Sequence, residues 1–208
     1  MPQGHERPPP ALPAIDAPTI DAWTDAIATG EIAPIGTVFS SVGASGPEVI
    51  WRPGAEHLKY RPLRFLLDYW TSLAAGREMP RADEIDAIDM RPALGFIILV
   101  DVVEGGANFR YRLFGSALAS ASGFDMTGRL VTDHRASPHV HGFYLAAYRA
   151  ALRRREPLFT NHGPSQAVRT KAWHRLVLPF VNDAGTIVRF LVGTIPLSRN
   201  GTPLIGRY

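Results

Sequence analysis

Histidine is the residue type in this chain that best suits metal or haem chemistry, because the 208 residues include seven histidines and no cysteine. The absence of cysteine excludes disulfides, thiolate metal sites, iron–sulfur ligation and cysteine nucleophiles. His139 and His141 lie two positions apart in a predicted helix, so their side chains point about 200° apart and cannot share a metal ion unless the first helical turn is frayed. A haem needs one histidine that faces a pocket, and His134, just before that helix, is the best-placed candidate. We favour a loop role for His134, so haem is disfavoured and the cofactor is unknown.

Acid–base catalysis needs polar groups that converge in a cleft. The candidates are Asp125, His134 and His174, with Arg175 beside the last of them. The chain has neither a Gly-x-Ser-x-Gly elbow nor a His-Glu-x-x-His motif. We therefore expect no enzyme activity, and a small enzyme with a cleft around these residues ranks third among the functions considered.

Four arginines alternate with apolar residues in strand-like runs, namely Arg110, Arg112, Arg175 and Arg189. Alternation places them on one face of a sheet with their neighbours rather than in the core. They either form an outer-face ladder paired with the acidic stretch 83–89, which we favour, or supply an anion anchor at the rim of a pocket.

Composition and charge exclude several classes of protein. Hydrophobic residues make up 46% and charged residues 20%, which suits a packed core rather than a disordered chain. The longest apolar run, residues 94–100, is far shorter than the roughly 18 residues of a membrane helix. The basic cluster in 149–175 has no nucleic-acid-binding motif and is typical of a solvated helix end. The N-terminus has no signal-peptide pattern, so we expect a cytoplasmic protein that binds neither membrane nor nucleic acid.

Strand-like and helical patterns follow each other in a definite order from Gly95 onward. The strand-like runs are Gly95–Val103, Asn108–Phe114, Pro157–Gly163, Lys171–Val181 and Thr186–Leu197. A short helix at Ser116–Ser122 and a long one at Pro138–Arg155 lie between the second and third runs. This order predicts an α+β fold, in which a five-stranded antiparallel sheet carries the helices on one face.

Upstream of this core, apolar residues recur at three- and four-residue steps, which predicts an amphipathic helix. Its stripe comprises Leu63, Leu66, Leu67, Trp70 and Leu73. We interpret the stripe as a surface for a partner or a second copy of the chain, although part of it could be core.

Residues 1–55 give weaker signals, with a helical hint at Ile20–Ala28 and a β-like stretch around Thr37–Val42. The predicted organisation is a disordered Pro-rich tail at 1–18, an N-terminal arm at 19–56, a flanking helix and acidic linker at 57–92, a core at 93–197 and a C-terminal tail at 198–208.

Several segments together resemble a variant PAS-domain family of short stand-alone alphaproteobacterial proteins. They are Leu67–Trp70, the break at Arg77–Pro80, the acidic stretch Ala82–Met90, Tyr111–Leu118, Gly123–Arg129 and Arg175–Phe180. The resemblance covers roughly residues 57–197. It implies a PAS-like sheet that curls around its helices to leave a small pocket, and a sensory or regulatory role without an established common cofactor.

On this basis we expect a non-catalytic, PAS-like sensory domain that binds an unknown small molecule and acts on another signalling protein, as a homodimer. The expected pocket residues are Phe109, Tyr111, Leu113, Phe124, Met126, Phe143, Tyr144, Ala147, Trp173 and Leu176, with Val177 in place of Leu176 if the strand parity is reversed. The alternative is a ligand-free interaction module, an adaptor whose core is filled.

Overall fold

A computed structural model of the chain describes residues 14–133, 137–163, 170–198 and 200–204. The strands within these ranges are β1 Glu48–Trp51, β2 Ile97–Val103, β3 Asn108–Phe114, β4 Leu158–His162, β5 Thr170–Val181 and β6 Ile187–Ser198. The α-helices are α1 Ala17–Thr29, α2 Ala33–Ser41, α3 Arg61–Ala74, α4 Ser116–Ser122 and α5 Pro138–Arg154. No helix in the described ranges is both long enough and apolar enough to cross a membrane.

One antiparallel sheet organises the molecule, with the strand order β1-β4-β5-β6-β2-β3. The two central strands form a hairpin because Asn182 closes its turn, where the side-chain oxygen accepts hydrogen bonds from the backbone of Ala184 and Thr186 at 3.1 and 2.9 Å. Gly185 supplies the positive φ of 74° that the turn requires.

The sheet is covered on both faces, so the buried apolar residues of the described ranges form two clusters. The inner face, which includes Val100, Phe109, Val177 and Phe190, packs under α5 with α1 and α2. The outer face, which includes Ile97, Leu176, Leu178 and Leu191, packs under α3. Burial on both faces requires consecutive apolar residues along the central strands, as in 176–178.

The α+β class and the antiparallel sheet expected from the sequence are confirmed. Two details differ from that expectation. The described sheet has six strands rather than five, because the edge strand β1 pairs with β4. Helices cover both faces rather than one, because α3 lies on the outer face.

The N-terminal region is packed onto α5. Asp16 caps α1 by accepting a hydrogen bond from the backbone N–H of Thr19 at 3.0 Å. Gly142 permits the close approach of α1 to α5, because a Cβ atom there would lie 3.2 Å from side-chain atoms of Ile15 and Trp23. The indole N–H of Trp51 donates to the carbonyl of Ile27 at 3.0 Å, which ties β1 to the end of α1.

The β-like interpretation of Thr37–Val42 is wrong, because α2 spans Ala33–Ser41. Pro34 suits the first turn of a helix. Ile35 and Phe39, four residues apart and both fully buried, form one helical stripe toward the core. In the predicted tail at 1–18, residues 17 and 18 belong to α1, and residues 1–13 lie outside the described ranges.

Candidate ligand-binding site

A buried arginine lies at the centre of the inner face. Side chains alternate along β5, so Trp173, Arg175 and Val177 point toward α5. Arg175 is only 1% exposed, because α5 covers the inner face and α3 covers the opposite one. Charged side chains are seldom buried this completely unless they are paired.

Two tyrosines of α5 hold the guanidinium group of Arg175. Tyr144 and Tyr148 are four residues apart and therefore share one face of the helix. The Arg175 Cζ lies 3.8 Å from the ring centroid of Tyr144 and 5.3 Å from that of Tyr148. Arg175 Nη2 also donates a hydrogen bond of 2.6 Å to the Tyr148 hydroxyl. The arginine is thus held by neutral rings and one hydroxyl.

The guanidinium is the charged group of this cluster, and the surrounding phenols are neutral. Burial raises the pKa of Tyr144 to about 12, although the nearby Arg175 charge opposes the rise. Burial also raises the pKa values of Tyr148 and Tyr111. Burial alone would lower the pKa of Arg175, but interactions with these tyrosines more than offset it and the pKa is raised. Among the described residues no carboxylate forms an ion pair with Arg175.

Two threonines flank Arg175 on the neighbouring strands. Thr160 of β4 and Thr194 of β6 are its register partners, so the three side chains form a row across the inner face. The threonines are 0% and 3% exposed. Within the described ranges, neither hydroxyl has a hydrogen-bond partner, and neither does Arg175 Nη1. Buried polar atoms normally have partners, so this row is an unusual feature of the core.

Histidines extend the polar cluster toward α2. His162 Nε2 and the Tyr144 hydroxyl are hydrogen-bonded at 3.2 Å. His139 lies edge-on to Phe39 at 4.8 Å, and burial lowers its pKa. In the part of the chain that the structure describes, neither ring nitrogen of His139 has a hydrogen-bond partner. The rings of Phe39 and Phe143 separate these polar groups and give the cluster apolar walls.

The structure places most of the sequence-predicted pocket residues in the inner cluster. These are Phe109, Tyr111, Phe124, Met126, Phe143, Tyr144, Ala147 and Trp173. Leu113 and Leu176 instead pack in the outer cluster, and Val177 faces inward, so the alternative strand parity is the observed one.

The outer-face interpretation of the strand arginines is wrong for Arg175. It also assigns the wrong partners to Arg112 and Arg189, because Asp101 pairs with Arg189 at 2.6 Å and with Arg112 at 3.6 Å. In the acidic stretch 83–89, the ion pairs of Asp83 and Glu84 are with Arg81 and Arg77. One signal in the sequence pointed to burial: Leu176, Val177 and Leu178 follow Arg175 directly, and three consecutive apolar residues indicate a strand covered on both faces.

Sequence reasoning missed three members of the polar cluster around Arg175. Thr160, Thr194 and His162 carry no signal of their own, because only the register of β4, β5 and β6 brings them together. The role of Tyr148 also depends on the burial of Arg175, which the favoured outer-face interpretation did not include.

The residues considered for acid–base chemistry occupy separate places. Asp125 lies in the loop after α4, where its carboxylate accepts hydrogen bonds from the backbone N–H and the hydroxyl of Thr127 at 2.8 and 2.7 Å. His174 lies on the outer face against Tyr60 and Phe159. His134 lies outside the described ranges. Within those ranges no group of three or more metal-ligating side chains converges.

The apolar stripe of α3 is used largely within the chain. Leu63 and Leu66 are fully buried against the outer face. Leu67, Trp70 and Leu73 are partly buried, and the indole N–H of Trp70 donates to the carbonyl of Pro179 at 2.7 Å. The accessible part of the stripe is therefore the side of α3 that faces away from the sheet.

Comparison with known proteins places this architecture in a family. A family model described as a PAS domain matches residues 58–195, which extends from just before α3 into β6. The helices α1 and α2 and the strand β1 precede the matched region. Neither the search of curated proteins nor the search of solved structures returns a match.

Proposed function

Because the chain belongs to the PAS domain family, a family of sensory and regulatory modules, we propose that it senses a small molecule bound between α5 and the inner face of the sheet. PAS domains are in general non-catalytic, and the proposal includes no reaction. The bound molecule would contact the buried polar cluster around Arg175 and would be read out by another protein.

The observation that carries this proposal is the buried charge of Arg175, which has no carboxylate partner among the described residues. Removing an ion from water costs several kcal/mol unless partners replace the water, and here the partners are rings and one phenol. A fold that needs only a packed core rarely gains from a buried charge, because well-packed apolar side chains of similar volume are often as stable or more stable. A molecule that supplies the missing partners recovers part of this cost, which accounts for an arginine at this position.

The helix that contacts the proposed ligand is also the helix that contacts the N-terminal arm. Tyr144 and Tyr148 face the ligand, whereas Arg149 and Arg153 on the same helix pair with Asp21 and Asp25 of α1. A displacement of α5 on ligand binding would thus reach α1 directly. We propose that a partner protein recognises the surface formed by α1 and α5.

The alternative proposal is a ligand-free adaptor, and the aromatic packing near the site favours it. Tyr148 stacks on Phe190 with ring centroids 5.6 Å apart, and Phe109 contacts both rings. A completely filled core would serve only as a scaffold for the surface. In either case the accessible side of α3, at Leu67 and Trp70, is a proposed surface for a second copy of the chain.

Native mass spectrometry of the purified full chain separates the two proposals. A sensor is expected to carry a small-molecule adduct that is lost in Arg175→Met and retained in Arg189→Met. The second variant is a matched control, because Arg189 also lies on a central strand but pairs with Asp101 away from the cluster. If no adduct appears after expression in several hosts, the adaptor proposal is favoured. Light scattering on the same samples gives the oligomeric state, and a 22.8 kDa particle at high concentration would contradict the homodimer.

A further inference from the structure

The charge and the hydrogen-bonding capacity of the inner cluster restrict the chemical class of its ligand. Arg175 contributes one positive charge, whereas Tyr144 and Tyr148 are neutral at physiological pH and burial raises their pKa values further above it. Burial also lowers the pKa of His139, which opposes a second positive charge there. A ligand that neutralises this cluster therefore has one negative charge.

The groups that lack partners in the described ranges are donors or can act as donors. Arg175 Nη1 carries N–H groups only, and each threonine hydroxyl has a proton to donate. The Tyr148 hydroxyl accepts from Arg175 and so keeps its own O–H available as a donor. A carboxylate accepts hydrogen bonds through two oxygens in one plane and suits a guanidinium edge together with neighbouring hydroxyls.

We propose that the ligand of this site is a small organic monocarboxylate whose carboxylate group is bound by Arg175 with help from the hydroxyls of Thr160 and Thr194. This inference rests on the proposed sensory function and names its ligand class. The rest of the ligand lies among aromatic rings, which include Tyr144 beside Arg175 and Phe143 beside His162. Its body is therefore apolar or aromatic.

Other anions fit this site less well. A phosphate monoester or a dicarboxylate carries a second negative charge at neutral pH, whereas Arg175 is the only permanently charged cation among the described residues of this cluster. Burial of that extra charge without a partner is unfavourable for the same reason that burial of Arg175 is. A neutral amide or alcohol with the same body would leave the arginine unpaired.

Thermal unfolding of the full chain with matched acids and amides tests the ligand class. The probes are acetate, hexanoate, benzoate, phenylacetate and naphthoate, the primary amide of each acid, and inorganic phosphate. We expect at least one acid to raise Tm in a concentration-dependent way and to bind at least about tenfold more tightly than its amide, which corresponds to about 1.4 kcal/mol. Binding should be lost in Arg175→Met, weakened in Thr194→Val, and unchanged in Arg189→Met.

Thr194→Val keeps the inference testable if Arg175→Met fails to fold, because valine has nearly the volume of threonine and lacks only the hydroxyl. Amides that bind as tightly as their acids, phosphate that binds as tightly as the best acid, or acids that bind Thr194→Val as tightly as the parent chain would each overturn the monocarboxylate assignment. These outcomes leave the sensory function standing, since a ligand still binds.

The small molecule released from the denatured, purified chain gives an independent measurement. Treatment with a methylating reagent specific for carboxylic acids is expected to add one methyl ester per released molecule. A released molecule that gains none, or more than one, overturns the ligand class but supports a sensor. If no molecule is released and no probe binds, both the ligand class and the sensory function are refuted.

Discussion

Substitution of Gly193 by alanine tests whether α3 covers the outer face of the sheet. A Cβ atom on Gly193 would lie 2.6 Å from Leu66 Cδ1 and 2.7 Å from Leu63 Cδ2. Carbon atoms in good contact are about 3.5–4.0 Å apart, so each leucine must move by about 1 Å. Both leucines are fully buried, so we expect Gly193→Ala to lower the free energy of unfolding by about 1–3 kcal/mol.

Leu66→Ala gives the second arm of a double-mutant cycle. Alone, Leu66→Ala is expected to lower the free energy of unfolding by about 2–5 kcal/mol, because it leaves a cavity under α3. In the double variant the new methyl group occupies part of that cavity, so the total loss should be smaller than the sum by at least about 0.5 kcal/mol. The measurement is urea unfolding followed by tryptophan fluorescence.

Leu73→Ala is the matched control for this cycle. Leu73 lies on the same helix and packs in the same cluster, but it is not among the nearest contacts of a Cβ at Gly193. The combination of Leu73→Ala with Gly193→Ala should be additive within about 0.5 kcal/mol. Additivity of the Leu66 pair as well would refute the packing of α3 on the sheet at this point.

Three further predictions use the same unfolding assay. Trp23→Ala should cost about 3–5 kcal/mol, because the indole is 3% exposed between α1 and α5, and a change below about 0.5 kcal/mol would mean that the arm is not packed. Tyr148→Phe should cost about 1–3 kcal/mol, because it removes the hydroxyl that accepts from Arg175, and an unchanged urea midpoint would contradict that hydrogen bond. Burial lowers the pKa values of His139 and His174 below their usual 6.5. The stability that these two neutral histidines contribute is therefore fully present above pH 6.5 and is lost as the pH falls through the lowered pKa values. Urea midpoints should therefore fall between about pH 7 and pH 5, and less so for His139→Gln; a flat profile would refute the shifts.

The elements with long, consistent patterns could be predicted from the sequence. The predicted helix at Pro138–Arg155 differs from α5 by one residue, and the predicted strand Asn108–Phe114 coincides with β3. Both elements contain many residues that favour the same secondary structure, and residues typical of helix or strand ends mark where each begins and ends. The helix α2 was mistaken for a strand because Val38 and Phe39 favour β structure locally, whereas packing on α5 decides the outcome.

The candidate site was harder to predict, because the burial of its central residue, Arg175, depends on which elements cover the two faces of its strand. Alternation along one strand assigns Arg175 to a face, but it does not say which face is covered. That depends on α3, about 100 residues earlier in the chain, and on the Trp70 hydrogen bond to Pro179. Pairings between distant segments also create the row with Thr160 and Thr194. Local sequence patterns contain neither kind of information.

The two edges of the sheet limit how copies of this chain can associate. One edge is β1, a strand of only four residues. At the other edge, β3 is already occupied by the segment after Met126, where Tyr111 N–H donates to the Arg129 carbonyl at 2.9 Å and Gly128 N–H donates to the Tyr111 carbonyl at 2.6 Å. Short or capped edges disfavour intermolecular strand pairing and protect a protein from sheet-mediated aggregation. Assemblies of this chain are thus expected to form through helical surfaces, which can rearrange without breaking the backbone hydrogen bonds of the sheet.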